Sequence, residues 1–182
     1  MAVDDLEKLG SGREQASGEA HPSGPCLLAA SVAVFPRLAS SRELRLRRER
    51  VGCSYRLCDG HSYRVFRETV KPLSGDSRTV IEVGFRLGVI RSATAPHWLF
   101  QRLCILTTPF WCGFDGFGTK LWMVDPRTSS YAGIYEWSAP AQARTYLDVL
   151  LPVLRAVSVA GSVFSELHPG ADLAGFLRER EQ

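Results

Sequence analysis

Between Thr79 and Gly170 the chain changes its hydrophobic period repeatedly, and the order of those changes constrains the fold more than any other feature. In Val80–Arg91, the residues Ile81, Val83, Phe85, Leu87 and Val89 fall on one side of an alternating strand, with Glu82 and Arg86 on the other. A helical stripe of Leu99, Leu103 and Leu106 follows, opened by Ser92 or Thr94 with Pro96 and stopped by Pro109. Strands then read at Thr119–Val124 and Tyr131–Trp137, joined through Asp125-Pro126-Arg127-Thr128. A second helix opens at Ser138 as N-cap with Pro140 in its first turn, and its stripe is Ala143, Tyr146, Leu147, Leu150, Leu151 and Leu154. Pro152 is expected to kink or shorten it. A strand at Ser162–Leu167 closes the series, and a short helix at Asp172–Glu181 ends the chain. This βαββαβ order is that of a ferredoxin-like α+β unit, a sheet with helices on one face. Its other face needs a cover, usually a second copy or a ligand.

The segments upstream add less. Gly52–Lys71 reads as a hairpin around Cys58-Asp59-Gly60-His61, with Tyr63, Val65 and Arg67 on one side of the return strand. Met1–Pro25 has almost no large apolar residues after Leu9 and is read as disordered. Cys26–Ser41 is an apolar island long enough for a short helix. Arg42, Arg45, Arg47, Arg48 and Arg50 then form a basic stretch. It is either an arm for an acidic partner or, the preferred reading, a solvated connector. Residues 1–50 are therefore expected to be a disordered or weakly ordered extension, and 51–182 one domain with its core at 79–170. A true start near Val51 is an alternative.

The 182 residues carry a net charge of +3, too small to imply nucleic acid by itself. No apolar run approaches the about 20 residues that span a bilayer. Five cysteines without a signal peptide suggest reduced thiols, and the chain is read as soluble and cytoplasmic. Cys53 and Cys58 have no second pair at zinc spacing, so no metal is expected.

Four stretches, "ILTTPFWCG", "KLWMVD", "YAGIYEW" and "VSVAGSVFSELHPG", resemble the dimeric α/β barrel superfamily, in particular the small YdhR-like monooxygenase-like proteins. The resemblance spans residues 80 to 170. It implies a homodimer whose two sheets close into a barrel, a ligand cavity beside each sheet, and chemistry that ranges from cofactor-independent oxygenation of aromatics to haem degradation.

Candidate site residues follow from the aromatic strand. Tyr131, Tyr135 and Trp137, with Trp122 across the hairpin, could wall a pocket for a small apolar or aromatic molecule; they could equally be core. Trp111 and Phe114 lie in a glycine-rich loop, Phe110–Gly118, read as a lid. His97 is the candidate general base, kept neutral by a helix N-terminus, and Tyr135 the second catalytic candidate. His61 and His168 are expected at the surface. Cys112 is reactive only if exposed. Lys120 and Glu136 are a candidate cross-strand pair, and Asp115 a candidate proton acceptor. No metal, flavin or other cofactor is required. The expected function is a monooxygenase-like enzyme. The alternatives are a non-catalytic binding protein of the same fold, and a haem protein using His97 or His168.

Overall fold

The structure is a computed structural model that describes residues 29, 32–33, 44–74, 77–88 and 108–182. Residues 1–25, expected to be disordered, the helix expected before Pro109, His97 and Cys104 lie outside the described residues.

Ten elements are described: β1 (Arg45–Arg47), β2 (Ser54–Arg56), β3 (Ser62–Val70), β4 (Thr79–Phe85), α1 (Thr108–Cys112), β5 (Phe117–Val124), β6 (Tyr131–Trp137), α2 (Pro140–Val157), β7 (Phe164–Pro169) and α3 (Leu173–Arg178). All seven strands join one antiparallel sheet in the order β1-β3-β5-β6-β4-β7, with β2 paired to β3. Within it, β5-β6-β4-β7 is the ferredoxin-like strand order, and the expected α+β fold is present. The hairpin β2–β3 also forms as expected and extends the sheet at its β5 edge. Its turn closes with the Gly60 amide donating to the Leu57 carbonyl at 2.9 Å, and Gly60 takes φ +80°.

Side-chain period explains the helix α2. Ala143, Tyr146, Leu147 and Leu154 recur near every 3.6 residues and are buried against one sheet face, with Leu150 and Leu151 partly buried beside them. Two local expectations shift. The N-cap is Ala139, whose side chain cannot cap; Ser138 instead bonds Gln142, one turn into the helix. Pro152 lies inside α2 without ending it. Pro109 likewise does not stop a helix but sits in the first turn of α1, where a missing N–H costs nothing.

A bulge between Val65 and Arg67 alters the reading of β3. Val65 faces Met123 and Glu68 faces Leu121, so Glu68 joins the Tyr63 side and Arg67 leaves it. Glu68 is fully buried there, and both the amide and the guanidinium of Arg50 bond its carboxylate. Arg50 thus belongs to the sheet rather than to a free basic arm. Arg45 and Arg47 lie on the edge strand β1 and are exposed.

The two sheet faces carry separate cores. One gathers Ile81, Val83, Trp122, Tyr135 and Trp137 with α1 and α2. The second gathers Val80, Leu121, Met123 and Ile134 with Tyr55, Leu57 and the α3 residues Leu173, Phe176 and Leu177. After α3 the chain runs beside β2: Arg56 N–H donates to the Arg180 carbonyl at 2.9 Å and Gln182 N–H to the Ser54 carbonyl at 3.2 Å. The face expected to await a second copy is therefore covered by this chain's own hairpin and C-terminus. Within the described residues no helix is long and apolar enough to cross a membrane.

Candidate ligand site

The strand alternation of β5 and β6 puts Lys120, Trp122, Tyr135 and Trp137 on the α2 side of the sheet. The structure brings together five of the aromatic residues singled out in the sequence. Trp111 stands edge-on to Trp122 at 5.6 Å between ring centroids, and Phe114 meets Trp137 at 6.5 Å. Tyr146 from α2 joins them, 4.9 Å from Trp137, 5.3 Å from Tyr135 and 5.4 Å from Phe114. Phe117 completes the cluster against Trp111 and Trp137. Tyr131, on the same strand, packs farther along against Phe85 at 6.1 Å.

The glycine-rich stretch is not a lid. Trp111, Cys112, Phe114 and Phe117 are all buried within the core, and among the described residues of the stretch only Asp115 is exposed. Gly116 makes the tight return possible: its φ is +74°, and a Cβ there would collide with Gln142 and Ser138. Burial pushes the Cys112 thiol up to about 11, so it is protonated at neutral pH and a poor nucleophile. Burial, with the Tyr135 hydroxyl adjoining, holds the Tyr146 phenol well above its ordinary range. Tyr146 is therefore a neutral proton donor.

Sequence reasoning missed the charge at the centre. Lys120 is 3% exposed, and its Nζ sits 3.2 Å from the centroid of the Trp122 ring, 4.6 Å from that of Trp111 and 4.7 Å from that of Tyr135. An ammonium out of water costs several kcal/mol. Three desolvated ring faces, each contributing about 2 kcal/mol, are of the size needed to offset that. Glu136, the expected partner of Lys120, points to the other face and accepts from the Leu173 amide at 3.2 Å. The signal was available: Lys120 stands two residues before Trp122 and so shares its face.

Among the described residues, three indole N–H groups in this cluster, on Trp111, Trp122 and Trp137, are buried and find no hydrogen-bond partner. Native interiors rarely leave such donors unmet. Beside Trp122, Tyr131, Gly133 and Tyr135 there is a gap of about 20 Å³, room for about one water.

The second face holds a different cluster. The fully buried Glu82 accepts from His168 Nε2 at 2.9 Å and from the Cys58 amide at 3.0 Å, with Arg180 at 4.0 Å. His168 is thus half-buried rather than superficial, stacked 4.8 Å from Phe176, and turned away from the aromatic face. The Cys58 sulfur and carboxylate oxygens of Glu82 and Glu166 lie within 4.8 Å of one another. Burial first, then Glu82 and Glu166, push the Cys58 thiol up to about 12. His61 is exposed at the hairpin turn as expected, 3.5 Å from Asp125.

No family model matches the chain, and no curated protein matches it. Several solved structures are similar. One is an uncharacterized ferredoxin-fold protein related to antibiotic biosynthesis monooxygenases from Listeria monocytogenes, at 12% identity over 63% of this chain and 67% of that one, with a TM-score of 0.45. A monooxygenase-like protein from Listeria innocua matches at 11% identity over 64% and 68%, TM-score 0.44. A heme-degrading enzyme from Listeria monocytogenes matches at 12% identity over 75% and 93%, TM-score 0.43. Likenesses this distant assign no activity; the ferredoxin-like α+β class rests on the strand order itself.

Proposed function

We propose that this chain is a small cytoplasmic enzyme of monooxygenase-like chemistry, acting on an apolar or aromatic metabolite without metal or flavin. The observation that carries the reading is the aromatic face itself, with three unmet indole donors and a buried cation among five large rings. A packed structural core has no use for unmet donors, whereas a ligand oxygen would satisfy them.

In this reading Trp111, Phe114, Trp122, Tyr131 and Trp137 wall the ligand, Tyr135 orients its oxygen, and His97 is the base. The base takes a proton from a substrate C–H or O–H. The resulting anion transfers an electron to dioxygen, the two radicals join in a C–O bond, and the peroxide anion takes up a proton. Loss of water from that hydroperoxide gives the carbonyl product. The protein supplies the base, the dry surroundings and the orientation. A homodimer belongs to the same reading. With the second sheet face occupied by α3, two copies meet on another surface, or α3 is displaced when they pair.

A second reading is a non-catalytic ligand-binding or interaction protein of the same fold; the packing favours its interaction form, since the gap of about 20 Å³ admits no metabolite unless side chains move.

Native mass spectrometry of protein purified from its own host tests both. A discrete small-molecule adduct that consumes oxygen on warming, and fails to do so in Tyr135→Phe, is the expected result. An adduct that persists without turnover selects the binder, and ligand-free protein that turns over no aromatic substrate sinks the enzyme.

A further inference from the structure

We propose that Cys58, Glu82 and Glu166 form a binding site for a zinc-class divalent cation, on the sheet face opposite the aromatic cluster. The site goes beyond the function proposed above and takes no part in that chemistry.

The three donors come from three separate parts of the fold: Cys58 from the turn before β3, Glu82 from β4 and Glu166 from β7. Their spacing in the sequence therefore forms no metal motif. In the fold, the thiol sulfur and a carboxylate oxygen from each glutamate lie within 4.8 Å of one another. Zinc bonds of about 2.0–2.3 Å set ligand atoms about 3.5 Å apart, so a closing movement of up to about 1 Å completes the cluster. Cys58 and Glu166 are exposed and have room to make it, while Glu82 is fully buried and held in place. Its oxygens accept from His168 Nε2 at 2.9 Å and from the Cys58 amide at 3.0 Å, and each keeps a lone pair. The amide bond fixes the turn that carries the thiol against the carboxylate, and His168 orients that carboxylate as hydrogen-bonded partners of metal ligands do.

Without a cation the arrangement is unfavourable. Glu82 and Glu166 stand directly opposite each other across the β4–β7 ladder and so share one face. Like charges in that position repel. The Arg180 guanidinium is 4.0 Å from Glu82, too far for a hydrogen bond. A divalent ion neutralises both carboxylates and takes the thiol as thiolate, its proton passing to solvent. Sulfur beside oxygen selects a zinc-class ion over magnesium or calcium, which take oxygen alone. A cleft of about 350 Å³, lined in part by Arg56, Cys58 and Arg180, opens at the thiol and gives the ion a way in. Once bound, the ion ties the hairpin turn to β4 and β7, although β5 and β6 separate β3 from β4 in the sheet.

The test titrates cobalt(II) into the reduced full chain, because a cobalt–thiolate bond gives a charge-transfer band in the near ultraviolet. One equivalent is expected to develop the band, zinc to displace it, and either metal to raise the thermal midpoint. Cys58→Ser should lose the band, and Cys53→Ser, at a second free thiol, should behave as the wild type. Glu166→Gln, a change at the surface, should keep the band but bind cobalt roughly tenfold or more weakly. A wild type that develops no band overturns the site. So does a band that survives Cys58→Ser, or an affinity that Glu166→Gln leaves unmoved.

Discussion

The ring of Tyr135 lies back over Gly133 on the same strand, so close that a Cβ at position 133 would stand 2.8 Å from Tyr135 Cε2. This contact explains the spacing in "YAGIYEW". An alternating strand would normally carry a side chain at 133 on the aromatic face; its absence lets Tyr135 lie flat and reach both Tyr146 and the Lys120 ammonium. Gly133→Ala is expected to destabilise the protein by about 1–3 kcal/mol through overpacking, because Tyr135 is hemmed in and cannot swing clear. Urea denaturation measures the loss, and near-UV circular dichroism should report the displaced ring. A variant with unchanged midpoint and spectrum would mean that the ring does not rest on Gly133.

On the opposite face, His168 shares a buried acceptor with a backbone amide. Glu82 is fully buried, and its carboxylate is met by His168 Nε2 and the Cys58 amide, with Arg180 farther off. His168→Ala removes one donor from a carboxylate that water cannot reach, which should cost about 1–3 kcal/mol. His168→Gln, which restores an N–H, should recover part of it. Chemical denaturation of the two variants decides the matter: equal losses in both would assign the effect to the lost stacking on Phe176 rather than to the hydrogen bond.

Acid stability should depend on the β5–β6 turn. Burial alone would raise the Asp125 carboxyl, but bonds from the Thr128 hydroxyl at 2.7 Å and the Arg127 amide at 2.8 Å, the Thr128 amide, and His61 outweigh it and hold it below its ordinary value of 3.8. A carboxyl lowered by folding binds fewer protons in the native state than in the unfolded chain. Its contribution is complete above the unfolded value and disappears as pH falls from there through the folded value. Denaturation midpoints measured from pH 7 down to pH 3 should therefore drop below about pH 4 in the wild type. The drop should be smaller in Asp125→Asn, which starts from a lower midpoint at pH 7. Parallel curves for the two proteins would remove Asp125 from the account.

What the sequence revealed and what it concealed divide along physical lines. Strands β4, β5 and β6 and helix α2 were legible because a buried face imposes a strict period on Ile81–Val83–Phe85 or Ala143–Leu147–Leu150–Leu154. The ferredoxin-like order followed directly. The bulge at Val65/Arg67 left no mark, since one extra residue in a strand changes no composition yet moves Glu68 from one side to the other. Pro109 was read as a terminator because proline ends helices more visibly than it begins them, though its chemistry suits both. At the candidate site Trp122, Tyr135 and Trp137 were read as sharing one face and do so, but Lys120 was paired across the hairpin with Glu136 when its parity places it with Trp122. The covering of the second face was beyond reach: Leu173, Phe176 and Leu177 show that α3 has an apolar side, but nothing in their spacing says what it packs on.

That covering yields the last prediction. Val80, Leu121, Met123 and Ile134 are each 0% exposed, in one cluster with Tyr55 and Leu57 of the hairpin region and Leu173, Phe176 and Leu177 of α3. Leu173 and Leu177 are one helical turn apart and share the face of α3 that touches the sheet. Replacing both with aspartate should undock α3 while leaving the rest of the sheet's hydrogen bonding in place. A contiguous apolar patch would then face water, and patches of that kind drive association. The double variant should bind the dye ANS more strongly than the wild type and sediment as a larger species, because a second copy can now bury the exposed face. If it sediments as the wild type does and binds no more dye, the C-terminal helix is not what keeps two sheets apart. If it dimerises cleanly and keeps the strand content of the wild type, α3 occupies the place where a second sheet could pack to form a barrel.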